Sequence, residues 1–186
     1  MKKSIVYFLL ISAFIQINAC KKQVSSTNEP QNENELISTV RLNFIDTATN
    51  DTLQFTWQQI GGPGTAIAVD SVSLKPTISY LGYIEILDET KSPVFVVSDE
   101  IKIEANAHLF KYFSSTSRLQ IINTDSDFHV PPIELGLQFL AQTNSDGNIN
   151  GTLEVLLRHY TSESPKAQSL LNGTTDIDVI FPLKVE

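Results

Sequence analysis

Ile177, Val179, Phe181, Leu183 and Val185 occupy every second position near the C-terminal end of the chain. A period of two puts successive side chains on opposite faces of an extended backbone, so the segment reads as a strand with one buried face. By the same alternation Asp176 and Asp178, which flank Ile177, point away from the core. Pro182 lies on the outward phase, where a missing N–H suits an edge strand or a bulge.

The pattern recurs along the chain. Val40, Leu42 and Phe44 alternate with Arg41 and Asn43, and Leu53, Phe55 and Trp57 alternate with polar residues. Residues 78–87 are aromatic and β-branched. Leu119 with Ile121, then Leu135, Leu137 and Phe139, suggest two further strands, separated by a loop holding Pro131 and Pro132. Asn144-Ser145-Asp146-Gly147-Asn148 has the composition of a hairpin turn. After it, Leu153, Val155, Leu157 and His159 share one face. Roughly eight strands at this spacing predict an all-β fold, a single antiparallel β-sandwich of immunoglobulin-like type. One short helix is expected over residues 99–107, capped by Ser98 or Asp99, with a strand from His108 to Phe113. One helix does not make an α/β fold, because the repeated strand–helix alternation of a parallel sheet is missing.

The N-terminal region has a different character. Lys2 and Lys3 precede the apolar run Ile5–Ile15, and small and polar residues lead to Ala19-Cys20. That order is the mark of a secretion signal, expected over residues 1–19. The apolar run is well short of the roughly 20 residues that span a bilayer as a helix. Ile17-Asn18-Ala19-Cys20 resembles the bacterial lipobox, which implies lipidation of Cys20 and cleavage before it. Cys20 is the only cysteine, so no disulfide framework exists within the chain. Several acyl chains, at about 0.8 kcal/mol per buried methylene, would hold such a protein stably on a membrane. Residues 20–35 are expected to be the lipid-bearing cysteine and a flexible polar tether, and 36–186 the folded domain. Position 21 is Lys rather than the Asp of an inner-membrane retention signal. No acidic cluster of the surface-export kind follows Cys20. The expected address is the outer membrane, facing the periplasm.

Thirteen basic residues, less Lys2 and Lys3, against 21 acidic ones leave 11 − 21 = −10 after the signal is removed. That balance opposes non-specific nucleic-acid binding, which needs a basic footprint.

Several segments together resemble a family of small lipoproteins from Bacteroidota-type bacteria. They are Glu35 to Leu42, Phe55-Thr56-Trp57, Tyr80 to Leu87, Glu100-Ile101 through Glu104 to His108 and Tyr112, Thr124 to Asp127, Leu157-Arg158-His159, and Thr175 to Phe181. The family is often catalogued under a type 1 periplasmic binding fold label. That fold has two α/β lobes, whereas the alternation here implies strands throughout. The resemblance carries no established activity. The chain departs from the family pattern at Gly61-Gly62-Pro63-Gly64 and at Ala107, where acidic positions that a metal site could use are missing, and at Phe128-His129-Val130, which replaces a glycine-containing turn.

Candidate chemistry is sparse. His108, Glu104 and Asp125 form the expected metal-ligating set, since imidazole and carboxylate suit zinc or a similar cation. On a continuous helix Glu100, Glu104 and His108 would share one face; if His108 begins a strand they would not. His159 and His129 are the other imidazoles, and His159 is expected to be partly buried and hydrogen-bonded. Asp125-Ser126-Asp127 resembles the start of a calcium loop but lacks the later ligands and central glycine. Gly61 to Gly64 lacks a following Lys-Ser/Thr and reads as a turn. Trp57, Tyr80, Tyr83 and Phe95 are expected mainly in the core rather than in a ligand groove. No nucleophile elbow, zinc helix or phosphate loop occurs. The expectation is therefore a lipid-anchored, non-enzymatic binding or accessory module without a cofactor, beside an outer-membrane protein partner. The alternative is a metal- or haem-capturing lipoprotein that supplies an uptake receptor.

Overall fold

A computed structural model describes residues 36–144, 149–161, 166 and 172–186. The expected signal, Cys20 and tether lie outside the described residues. The described chain is an all-β sandwich with one helix.

The larger sheet contains β1 (Thr39–Asp46), β2 (Thr52–Gln58), β3 (Ala68–Val69), β5 (Ser79–Asp88), β6 (Phe95–Val96), β8 (Leu119–Asn123) and β9 (Gln138–Thr143). Its order is β3-β2-β1-β5-β9-β8, with β6 also paired to β5. The smaller sheet runs β4 (Val72–Leu74), β11 (Thr174–Val185), β10 (Ile149–His159), β7 (His108–Ser114). The eight longer strands correspond to the eight expected from sequence, except that β9 begins at Gln138, so Leu135 and Leu137 of the expected strand precede it; β3, β4 and β6 have at most three residues each and too little sequence to show a period.

Inward residues of both sheets meet in one core. Val40, Leu42, Phe44, Tyr80, Phe139, Leu153, Val155, Phe181 and Leu183 are essentially without solvent contact. The Phe44 ring meets Phe55, Tyr80 and Phe139 edge-on, at centroid distances of 5.9, 6.1 and 5.4 Å. Such pairs add about 0.5–1.5 kcal/mol to the burial of the rings themselves. Gly82 makes room for this cluster, since a Cβ there would lie 2.0 Å from the Phe139 ring. In β11 alternate residues from Ile177 to Val185 are buried. Pro182 falls opposite Thr152 of β10, just before β4 pairs with Leu183–Val185, so its missing N–H interrupts no contact with β4.

Three expectations need correction. The β4–β11 pair is parallel, so the smaller sheet is mixed rather than purely antiparallel. Residues 145–148 of the expected hairpin lie outside the described residues. The strands on either side do not pair with each other: β9 pairs with β5 and β8, and β10 with β11 and β7. Asp-Gly composition turns a chain but does not select the sheet that the next strand joins. The helix, α1, is Val97–Ile103, followed by a 3₁₀ turn at Ala105–Ala107. Val96 precedes it without a side-chain cap, and Ser98 and Asp99 lie inside the helix. Asp99 and Glu100 still favour its first turn through the helix dipole.

Candidate functional site

The ends of β7, β10 and β11 bring polar groups together. In the β7–β10 ladder His108 lies opposite His159, at the last register position. Phe110 and Leu157, two residues inward on the same strands, are buried, so both imidazoles continue the inner face beyond the apolar core. The rings stack with centroids 4.8 Å apart and planes inclined by 11°.

Asp176 reaches the same place through a bulge. Leu157 pairs with Ile177 and Arg158 with Thr175, which leaves Asp176 as the extra residue of β11. A bulge breaks the alternation and re-aims a side chain. Asp176 therefore turns toward the two histidines instead of away as expected, although the residue stays exposed, and Asp178 keeps its outward position. One ligand atom from each of His108, His159 and Asp176 lies within 4.8 Å of the others. His108 Nε2 is 3.9 Å from Asp176 Oδ2.

The tautomer of His108 follows from its other nitrogen. Nδ1 is 3.0 Å from the backbone oxygen of Glu104. A carbonyl only accepts, so Nδ1 carries the hydrogen and Nε2 presents its lone pair toward Asp176. Burial depresses the His108 pKa to about 4, aided by the positive charges of His159 and Lys166 and opposed by the Glu104 carbonyl. Burial raises the pKa of Asp176, opposed by His159 and Arg158.

Of the set expected from sequence, only His108 belongs to this cluster. Because His108 begins β7, it does not stack on a helix face with Glu100 and Glu104. Glu104 contributes its backbone oxygen, and its side chain is exposed. Asp125 accepts the Gly136 N–H at 2.7 Å. The pairing of Asp176 with the two histidines was hidden because it depends on register, and no local pattern marks a bulge within an otherwise regular alternation.

A second polar cluster lies near the first. Asp127 Oδ1 accepts the backbone N–H groups of His129 and Ile133, at 3.0 and 2.9 Å. Its Oδ2 accepts Lys166 Nζ at 2.9 Å and lies 2.8 Å from His129 Nδ1. The side chains of Asp127 and Lys166 are wholly buried. Lys166 Nζ also donates to the Ala105 carbonyl at 3.1 Å. Burial works to raise the Asp127 pKa, but these hydrogen bonds outweigh it and hold the group at about 2. Burial lowers the Lys166 pKa against the attraction of Asp127. A carboxylate so fully engaged is an ion-pair anchor rather than a calcium ligand.

The outer face of the larger sheet has a different chemistry. Cross-strand register aligns Ile45, Leu81, Leu140 and Ile122 in one apolar row. Leu81 is 54% and Ile122 44% exposed. One flanking row is Gln54, Asn43, Tyr83 and Gln138; the other is Ser79, Gln142 and Gln120. None of these residues is charged. Arg41 and Glu85, in the next row, face each other at 3.6 Å. Tyr83 thus stands on this face, and Phe95 is exposed on β6, while Tyr80 belongs to the core and Trp57 packs against it. No family model, curated protein or solved structure matches this chain.

Proposed function

We propose that the chain is a lipid-tethered, non-enzymatic docking module of the outer membrane, facing the periplasm, whose partner is another protein of that membrane. The observation that carries this reading is the uncharged apolar row across the outer face of the larger sheet. Protein interfaces combine an apolar centre, depleted in charge, with a polar rim. Here leucine and isoleucine form the centre and amides the rim, in a chain of net charge −8. An exposed apolar stripe of this kind on a soluble domain favours a partner. The lipobox-like Ile17 to Cys20 supports the membrane address. From Cys20 to Glu35 the backbone reaches at most about 55 Å when fully extended, which keeps the domain near proteins of the same bilayer.

Crosslinking in intact cells tests the reading, with a photoreactive residue in place of Leu81. Cys20→Ser should move the chain from the membrane fraction to the soluble one. Leu140→Glu should abolish the crosslinked product while the chain stays folded and anchored. Ile180→Glu, at a residue 54% exposed on the smaller sheet, should leave the product intact. A product that survives Leu140→Glu, or is lost only with Ile180→Glu, overturns the docking face. Membrane retention of Cys20→Ser overturns the anchor.

A further inference from the structure

We propose that His108, His159 and Asp176 bind a divalent first-row transition ion, with zinc as the ion their number and chemistry suit best. This site lies apart from the docking face and does not depend on it.

The argument begins with the ligand atoms. Two imidazoles and one carboxylate form a borderline donor set, suited to zinc and its neighbours rather than to calcium or magnesium, which prefer oxygen alone. Three protein ligands with room for one further group is the usual open tetrahedral arrangement of zinc. The three ligand atoms already lie within 4.8 Å of one another. Metal–ligand bonds near 2.0–2.1 Å place neighbouring ligand atoms about 3.3 Å apart. Closing the site therefore takes little more than an ångström of side-chain movement. The Asp176 side chain keeps 24% of its exposure, and His159 is only half-buried, so the movement falls on the side open to solvent.

His108 provides the fixed point. Its Nδ1–H is held by the Glu104 carbonyl at 3.0 Å, leaving Nε2 as the donor atom. Histidine ligands of metal sites are oriented by the same kind of bond from their other nitrogen to a carbonyl or carboxylate. The turn that supplies this carbonyl is the junction between α1 and β7. The bulge provides the third ligand, for without it Asp176 would stand opposite Arg158 and face outward. Bulges next to functional sites commonly re-aim one residue in this way. The third histidine is excluded from the set, because His129 Nδ1 lies 2.8 Å from Asp127 in the neighbouring ion-pair cluster.

The test uses the full chain, purified in detergent without a histidine tag. It is titrated with Co²⁺, and with Zn²⁺ in competition with a chromophoric chelator. One ion per chain is expected, displaced by Zn²⁺ and not by Ca²⁺. His108→Asn, His159→Asn and Asp176→Asn should each weaken binding by at least about tenfold, as loss of a coordinating group requires. His129→Asn should leave the affinity unchanged. Far-UV circular dichroism checks that each variant is folded, and Asp176→Asn, at the open rim, gives the variant least dependent on core packing. In the wild-type chain Co²⁺ should broaden the imidazole resonances of His108 and His159 before those of His129. Failure to bind either ion at micromolar concentration overturns the proposal. So does a folded Asp176→Asn that binds as tightly as wild type, or broadening that begins at His129.

Discussion

Replacing Asp127 with Asn, alone and together with Lys166→Met, measures the anchor that joins residue 166 to the loop after β8. In the wild-type chain one carboxylate takes two backbone N–H groups on Oδ1 and faces His129 and Lys166 on Oδ2. Asn can keep the two backbone bonds but brings an N–H₂ toward a buried ammonium. Removing one partner of a buried pair costs about 3–5 kcal/mol, because the remaining charge is left without compensation. Lys166→Met costs less, about 1–3 kcal/mol, since the carboxylate keeps its other donors. The two changes are therefore not additive. The double variant should be more stable than Asp127→Asn alone, because methionine removes the stranded charge, and the coupling should exceed about 1.5 kcal/mol.

Urea unfolding at pH 7 of residues 20–186 carrying Cys20→Ala reads all four corners of this cycle. The pH dependence adds a sign. The Asp127 pKa falls from 3.8 in the ordinary group to about 2 when folded. Its stabilisation, on the order of 2 kcal/mol, is fully present above about pH 5 and is lost progressively as pH falls through the folded value near 2. Asp127→Asn should be flat across that interval relative to wild type. If the double variant shows the plain sum of the two single losses, the pair is not coupled and the anchor does not hold this loop.

A higher interval belongs to His108, whose pKa falls from 6.5 to about 4 on folding. The unfolded chain binds more protons there, so stability should fall between pH 7 and pH 4.5 by roughly 2–3 kcal/mol, less the opposing contribution of Asp176. His108→Asn should remove most of that slope in urea titrations, and an unchanged slope would refute the assignment. Gly82→Ala should destabilise by about 1–3 kcal/mol through overpacking, because its Cβ would meet the Phe139 ring at 2.0 Å. Thermal melts should show partial recovery when Phe139→Leu is added; a neutral Gly82→Ala would show that the cluster around Phe44 yields freely.

The sequence by itself determined the layers of this protein. A period of two in β1, β10 and β11 names core-facing residues, and in β2 the half-buried ones that pack against them, because each side chain's face depends only on its place along its own strand. The helix was legible in existence but not in bounds, since the expected cap residues Ser98 and Asp99 lie inside it. Pairing is a different quantity. Whether β10 joins β9 or β11, and whether β4 lies parallel to β11, depends on contacts between segments far apart in the chain. The candidate metal set shows the difference most plainly. His108 was legible as a candidate ligand, but its neighbours on the chain, Glu104 and Asp125, do not complete the set. His159 arrives by register across a ladder, and Asp176 by one unpaired residue in β11. The outer apolar row is likewise four ordinary outward positions until the register of β1, β5, β9 and β8 sets them side by side. Alternation assigns each residue to a face of its own strand; only tertiary pairing decides which other residues share that face.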